Sequence, residues 1–263
     1  MASTPANAPA QTLPLFYGSL APLSSQLHPT HGLKPRTDMA FTKNTHAVPV
    51  TVDEFAIVQR HYPIVFGLGE NPAPLALIGL QEGQNLYLTA DNQWEPGQYI
   101  PAFIRRYPFM LARLSPDSEE LSLCFDDTSA QIVAGEGEPL FAGTDPSETT
   151  KQVLQFCEQF EQAVFRTRTF MEELTKLDLL MDGEVTIQRE GLAEPAVYRG
   201  FRMVAEDRLQ ALRGDQTRKL VQSGMMGLIY AHLFSLSLIS PLFERQFAAA
   251  TAGTPLSPLI NLA

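Results

Sequence analysis

The residues best suited to chemistry lie midway along the chain, where aromatic, proline and arginine side chains alternate. Trp94, the single tryptophan, precedes a segment in which residues 99–109 read YIPAFIRRYPF. Aromatic rings supply rigid contact area at a small entropic cost, and guanidinium groups add planar forks of hydrogen-bond donors. Both residue types are enriched at binding surfaces. We therefore expect these side chains to be partly exposed around a shared hollow.

Six side chains form the predicted ligand-binding site: Trp94, Tyr99, Arg105, Arg106, Tyr107 and His46. Adjacent residues point in different directions on a regular element, so we expect at most one of the two arginines to face a ligand. A carboxylate or a peptide terminus would suit that arginine. In the competing interpretation the rings pack the core and the arginines pair with the protein's own carboxylates.

Familiar catalytic motifs are not found in the sequence, and we predict no catalytic residue, no metal and no cofactor. His28 and His31 have the spacing of a metal-binding pair, with Asp38 further along. Pro29 lies between the two histidines and breaks the helix that would hold both rings on one face, which favours an exposed loop. Phosphate-binding loops and nucleophile elbows are also missing.

Two further groups have both a structural and a chemical interpretation. His232 lies in an apolar segment, where a histidine is more often a hydrogen-bonded core residue than a general base. Asp126 and Asp127 follow a predicted strand, and carboxylates there more often cap backbone amides in a turn than act in catalysis.

Composition limits the class of protein. The chain has 263 residues, of which 44% are hydrophobic and 18% charged, as in ordinary globular proteins. A net charge of -10 opposes attraction to nucleic acid or anionic lipid. The two cysteines, Cys124 and Cys157, are expected to be buried free thiols. The first residues do not resemble a Sec signal peptide, so we expect a cytoplasmic location.

The first half of the chain is rich in predicted strands and turns. Residues 52–60 have the pattern of a short helix that ends before Pro63. Short apolar runs separated by turn residues predict four strands, at 64–68, 75–80, 85–88 and 121–125. The short gap between the second and third runs predicts that they form an antiparallel hairpin.

Helices dominate the second half. A long helix is predicted from Asp145 to Met181, with Asp145 as its N-cap, Pro146 in its first turn and Asp182-Gly183 as its end. Strands at 185–188 and 197–204 and a short helix at 206–212 are predicted to follow. The apolar segment within Leu220–Ile239 is cut at one end by Gln222, Ser223 and Gly224 and is followed at the other by Pro241 and Glu244. That leaves roughly 15 residues, short of the about 20 that cross a membrane, so we predict a buried core helix and no integral span.

These elements predict an α+β fold with a mostly antiparallel sheet covered by the two long helices. We predict a single domain over residues 13–247, between flexible tails at 1–12 and 248–263.

Several motifs of the chain resemble the bacterial SapC-like family, first associated with surface-layer protein operons. The resemblance covers roughly residues 12–245. It is carried by the following segments: HAVPV at 46–50, YPIVF at 62–66, NLYL at 85–88, Trp94, YIPA at 99–102, RRYPF at 105–109 and YAHL at 230–233.

The resemblance implies a role and no particular reaction. Members of the family are encoded near TonB-dependent receptors, flavin-dependent halogenase-like proteins and cupin-like hydroxylases. An accessory role in nutrient uptake, modification or the cell surface is therefore expected, through a partner protein or peptide. Two alternatives remain: a metal-assisted hydroxylase or hydrolase using His46, His61 or His232 with Asp126, and a peripheral surface-layer assembly factor that uses the apolar C-terminal helix.

Overall fold

The computed structural model describes residues 13–115, 120–187, 196–251 and 260–261. The protein combines helices with mainly antiparallel sheets, which confirms the predicted α+β class. The predicted N-terminal tail, 1–12, lies outside the described residues. So does most of the predicted C-terminal tail, although the first residues of that range are helical as far as Thr251.

The strands are mostly short. In chain order they are β1 (Ala21–Pro22), β2 (His31–Leu33), β3 (Ala47–Pro49), β4 (Ile64–Phe66), β5 (Pro74–Leu77), β6 (Phe109–Arg113), β7 (Leu121–Phe125), β8 (Ile132–Ala134), β9 (Glu138–Pro139), β10 (Phe141–Ala142), β11 (Asp145–Pro146), β12 (Leu180–Ile187), β13 (Ala196–Val204) and β14 (Ile260–Asn261).

The helices lie mainly in the second half of the chain. They are α1 (Phe55–Val58), α2 (Ala102–Arg106), α3 (Glu148–Lys176), α4 (Glu206–Gln210), α5 (Gly214–Gln222), α6 (Met225–Ser235) and α7 (Ile239–Thr251), with 3-10 turns at Ala40–Thr42, Val52–Glu54 and Leu236–Leu238.

The fold divides into two compact units. The first comprises residues 1–36 and 106–157, and the second comprises residues 37–105 and 158–263. The division falls inside α2, between Arg105 and Arg106, and inside α3, between Cys157 and Glu158. The single domain that we predict over 13–247 stays a prediction.

The first unit is built from small antiparallel sheets. Strands β1, β7 and β6 form one sheet in the order β1-β7-β6, strands β8, β2 and β9 form another in the order β8-β2-β9, and β10 pairs with β11. Its core consists of Phe109, Leu111, Phe125, Ile132, Leu140 and Cys157. Both Cys124 and Cys157 are buried, as predicted, and no disulfide joins them.

The second unit is organised around a six-stranded sheet. Its strands follow the order β12-β13-β4-β5-β3, and β14 pairs in parallel with β13. Helix α6 packs against β13 and β4, and α1 packs against α6. In addition, the rings of Phe170 in α3 and Phe55 in α1 pack edge to face, with their centres 5.9 Å apart. Large apolar side chains thus fill the space between the helices and the sheet.

The predicted hairpin of residues 75–80 with 85–88 is wrong. Strand β5 pairs with β4 on one side and β3 on the other, so both of its edges are occupied. Residues 85–88 form no strand, and the contact with the second run is a single bond from the Leu86 N–H to the Ile78 carbonyl. The other three predicted strands of the first half correspond to β4, β5 and β7.

The long helix α3 is shorter than predicted at both ends. Asp145 and Pro146 form β11, and the helix is capped instead by Ser147, whose Oγ accepts a bond from the Thr150 N–H at 3.2 Å. At the other end Asp178 takes a left-handed conformation with φ of 52°, which ends the helix before residues 181–183 enter β12. Left-handed residues typically end helices in this way.

The predicted helix Leu220–Ile239 is replaced by two helices and a turn. Gly224, with φ of 77°, separates α5 from α6. Pro241 does not end the apolar segment, because it lies in the first turn of α7, where no intrahelical N–H donor is needed. By length and composition, Met225–Ala249 qualifies as a membrane span, with a mean hydropathy of 1.6, but core helices of soluble proteins pass the same test.

Gly183 offers a test of packing in the long hairpin of β12 and β13. It pairs with Phe201, and an ideal Cβ at Gly183 would overlap the Phe201 ring, which is 1% exposed and therefore has little room to move aside. Replacing Gly183 with alanine is expected to lower the free energy of unfolding by about 1–3 kcal/mol.

Chemical denaturation followed by circular dichroism measures this change. Gly214→Ala is the matched control, because an added Cβ there meets no described atom within 4 Å. Equal stability of the two variants would show that the Phe201 ring yields.

Candidate functional site

Tyr99 and Arg105 form the exposed part of the predicted site. The Arg105 side chain is exposed and Tyr99 is half-buried. The Arg105 guanidinium lies 5.6 Å from the centre of the Tyr99 ring, and its Nη2 donates to the Tyr99 hydroxyl at 3.0 Å. Its Nε donates to the carbonyl of Ile100, also at 3.0 Å. These bonds hold an exposed cation in a defined position over an aromatic ring.

A buried carboxylate, that of Glu54, fixes Tyr99 by accepting a hydrogen bond from its hydroxyl. Glu54 is 6% exposed, and its Oε1 accepts bonds from the Tyr99 hydroxyl at 2.9 Å and from the Ala102 N–H at 2.7 Å. Its Oε2 accepts bonds from the N–H and the hydroxyl of Thr51. One carboxylate therefore joins the segment before α1 to the start of α2.

The tyrosine hydroxyl stays protonated in this setting. Burial, and then the negative charge of Glu54, raise the pKa of Tyr99 to about 12. The hydroxyl thus donates to Glu54 while it accepts from Arg105. The formal charge at the surface of this cluster comes from the guanidinium.

His61 and Gln98 lie beside Tyr99. The rings of His61 and Tyr99 have centres 6.4 Å apart, and His61 Nδ1 is 3.1 Å from Gln98 Oε1. Both side chains are half-buried. We call His61, Gln98, Tyr99 and Arg105 the Tyr99 patch, which combines aromatic surface, a cation and polar groups in the second unit.

Trp94 lies inside the second unit and does not face solvent. It is 8% exposed, its Nε1 donates to the Tyr62 hydroxyl at 3.1 Å, and its ring stacks on that of Tyr87 at 6.5 Å. The Tyr62 hydroxyl in turn donates to the Tyr99 carbonyl at 2.6 Å. The expectation that Trp94 is partly exposed is therefore wrong, because its ring fills the interior and its N–H is bonded there.

An ion pair lies against the same rings. Arg245 of α7 pairs with Glu95 through two bonds, of 2.5 Å and 3.3 Å, and its guanidinium lies 4.7 Å from the centre of the Tyr87 ring. This ion pair fixes α7 against the segment that carries Trp94.

Arg106 and Tyr107 belong to the first unit and are also buried, at 5% and 8% exposure. Arg106 hydrogen-bonds Tyr17, and the Tyr107 hydroxyl donates to Asp126 Oδ2 at 3.0 Å. The expected solvent exposure is wrong for both residues. Of the two arginines, Arg105 is the exposed one; both lie in α2, where adjacent side chains point about 100° apart.

Asp126 is a structural cap, as predicted. It is 1% exposed and accepts bonds from the N–H groups of Gly18, Ser19 and Thr128. Burial acts in the opposite direction, but the bond from the Thr128 hydroxyl and the backbone bonds lower the pKa of Asp126. The carboxylate is thus ionised, and its oxygens accept bonds from the protein's own groups.

His46 is half-buried in the second unit, and the side-chain contacts of the described residues do not join it to the Tyr99 patch. Its carbonyl accepts bonds from the N–H groups of Ile78 and Gly79. Its Nε2 is buried and has no hydrogen-bond partner among the described residues, and burial lowers its pKa. Whether any of the six predicted site residues binds a ligand stays a prediction.

His28 and His31 do come together in the first unit. Their ring centres are 4.9 Å apart, and His28 Nδ1 accepts a bond from the Ser24 N–H. Among the residues that the structure describes, no three His, Cys, Asp or Glu side chains form a group suited to a metal ion. Asp38, which sequence reasoning added to this pair, accepts a bond from the Ala40 N–H in the second unit.

His232 is a core histidine, which confirms the structural interpretation. It is fully buried, and its Nδ1 lies 2.8 Å from the Ile64 carbonyl while its Nε2 accepts a bond from the Val204 N–H at 3.1 Å. The second bond requires a lone pair on Nε2, so the ring is neutral with its proton on Nδ1. Burial lowers the pKa of His232 to about 4.

Sequence reasoning missed Glu54, His61 and Gln98 as parts of this site. For Glu54 a signal exists, since Thr51 and Glu54 have the spacing of a capping box, and the structure contains that box. No local pattern marks His61 or Gln98, because the chain brings them beside Tyr99 through tertiary folding.

The family model described as SapC matches residues 23–242 of the chain. No curated protein and no solved structure matches the chain.

Removal of the Glu54 carboxylate tests its role behind Tyr99. Glu54→Ala leaves the buried N–H groups of Thr51 and Ala102 without their acceptor, and we expect a loss of about 2 kcal/mol or more in the free energy of unfolding. Urea denaturation measures this loss. Asp53→Ala, at the exposed neighbouring carboxylate, is the control and is expected to cost less than about 1 kcal/mol. Equal losses would contradict the assignment.

His232 predicts a dependence of stability on pH. Its pKa is lower in the folded than in the unfolded protein, so the unfolded chain binds the proton first as the pH falls. Stability is therefore lost between about pH 6.5 and about pH 4, by up to about 3 kcal/mol. In His232→Gln an amide can make both bonds without titrating, so this part of the pH dependence should disappear. Urea midpoints across that pH range measure it, and identical slopes for both proteins would contradict the prediction.

Proposed function

The chain belongs to the SapC family, and we propose that it is a non-catalytic bacterial accessory protein that binds a partner protein or peptide. The pathway is one of nutrient uptake, modification or the cell surface, and the proposed location is the cytoplasm. Nucleic acid is not the proposed partner, because the net charge of -10 repels phosphate.

The Tyr99 patch carries this proposal. Arg105 is exposed, yet two bonds to its neighbours, to the Ile100 carbonyl and the Tyr99 hydroxyl, fix its guanidinium. The buried Glu54 fixes Tyr99 in turn. A side chain that is ordered before binding loses less entropy when a ligand arrives, and exposed arginine and tyrosine are residues that dominate binding energies.

The chemistry of the Tyr99 patch favours a ligand that carries a carboxylate. A planar guanidinium recognises carboxylates through paired hydrogen bonds, and the half-buried Tyr99 and His61 rings offer apolar surface beside it. An acidic side chain or the C-terminus of a partner polypeptide supplies such a group. The proposed interaction is thus centred on Arg105, and Trp94 and Tyr107 support the fold instead of touching the ligand.

The enzymatic alternative receives no specific support from the described residues. Of its candidate residues, His232 bonds to two strands in the core and Asp126 caps backbone amides. His46 and His61 lie in the second unit and Asp126 lies in the first.

Capture of partners from a bacterial lysate tests the proposal. Arg105→Ala removes the exposed cation without emptying the core, and binding of the captured partner to purified protein should weaken at least about 10-fold. Tyr99→Ala is expected to act in the same direction. Calorimetric titration with the partner identified by mass spectrometry gives the affinity.

Arg168→Ala is a matched control. Arg168 is also exposed and also lies over an aromatic ring, 5.2 Å from the centre of Phe165, but on α3 and outside the Tyr99 patch. The proposal predicts unchanged binding for this variant. It fails if Arg105→Ala binds as the unchanged protein does, or if both arginine variants lose affinity equally.

A further inference from the structure

The outward face of α6 is an apolar stripe on an acidic protein. Four exposed residues recur at helical spacing along α6 and the turn that follows it: Gly227, Tyr230, Phe234 and Ser237. Between Met225 and Phe243 the sequence has no Asp, Glu, Lys or Arg. Surface helices normally turn charged residues toward water, so this face has the composition of a contact surface.

The two aromatic residues of the stripe project from it. Phe234 is 66% exposed and Tyr230 is 42% exposed, and their rings stack with centres 5.7 Å apart. Stacking makes one rigid apolar ridge out of two side chains. Helices α5 and α1, which both contact α6, each expose a large aliphatic residue as well, Val221 at 60% and Ile57 at 38%.

Gly227 lies on the same face, about two helical turns before Phe234, and because it has no side chain it leaves a gap that we call the notch. An added Cβ at Gly227 would meet no described atom within 4 Å, so the space above this glycine is open in the part of the chain that the structure describes. The face therefore has a ridge at one end and a shallow notch at the other.

We propose that this face binds a second copy of the same chain, with the two α6 helices antiparallel about a two-fold axis near Tyr230. That arrangement places Phe234 of each copy over Gly227 of the other, so one surface supplies both the ridge and the notch, as a two-fold interface requires. Small residues let helix backbones approach closely.

Charge supports the same occupant. A protein of net charge -10 repels its own copy at most surfaces, and the uncharged α6 face avoids that repulsion. Exposed Arg218 precedes the face and exposed Glu244 follows it. Antiparallel pairing brings the basic end of one copy toward the acidic end of the other, which favours this orientation.

Sedimentation velocity of the full chain, from about 1 to about 100 µM, tests the proposal. We expect a concentration-dependent dimer. Phe234→Glu should raise its dissociation constant at least about 10-fold, and Gly227→Leu, which fills the notch, should act in the same direction. Phe165→Glu is the matched control, because Phe165 is 60% exposed on α3, outside the face. The dissociation constant of this variant's dimer should equal that of the unchanged protein.

A cross-linking experiment reports the orientation. Tyr230→Cys lies near the proposed axis and should form disulfide-linked dimers on mild oxidation, whereas Phe165→Cys should not; the native cysteines are buried.

A protein that stays monomeric throughout the concentration range overturns the proposal. So does equal dissociation by Phe234→Glu and Phe165→Glu, or equal cross-linking of the two cysteine variants. Binding of a monomer to neutral phosphatidylcholine vesicles, lost in Phe234→Glu, would assign the face to lipid and also overturn it.

Discussion

The imidazole of His232 lies where β4 and β13, two central strands of the six-stranded sheet, separate from each other. The arrangement of the second unit depends on this ring. Strands β4 and β13 pair at Phe66 and Arg202, and the same register continued would pair Ile64 with Val204. At that position the ring of His232 bonds the Ile64 carbonyl and the Val204 N–H instead. Ser235, one turn later on α6, accepts a bond from the Ile64 N–H at 2.8 Å. Helix α6 thus satisfies buried backbone groups that the sheet leaves open, which fixes the helix against both strands.

Elsewhere in the chain, other buried polar side chains also bond backbone groups of distant segments. In the second unit Glu54 joins Thr51 to Tyr99 and Ala102, and in the first unit Asp126 joins the turn at Gly18 to Tyr107. Many strands here have two or three residues, so regular ladders satisfy few backbone groups. Side chains that accept several bonds at once replace those ladders. Most of the motifs that carry the family resemblance therefore support the fold, and of the six predicted site residues Arg105 is exposed while Tyr99 and His46 are half-buried.

The local predictions succeeded where one physical signal dominates a segment. The α+β class, the strand runs at β4, β5 and β7, and strands in the second half of β12 and in β13 follow from apolar patterns and turn residues. They failed where two local signals compete. Asp145 and Pro146 are good helix starters, but they pair with β10, and Ser147 caps α3 instead. The run at 85–88 has strand character, but β5 already has partners on both edges.

What the sequence by itself determined is which residues group together in chain order: an interleaved aromatic and arginine segment, an apolar C-terminal region without charge, and a family pattern. Only the tertiary structure decided which of those side chains reach solvent. Arg105 and Arg106 are neighbours of the same chemistry, yet one is exposed over Tyr99 and the other is buried with Tyr17. Burial depends on which distant segments pack against a side chain, here residues 51–54 for Tyr99 and β4 with β13 for His232, and no local pattern of residues contains that information.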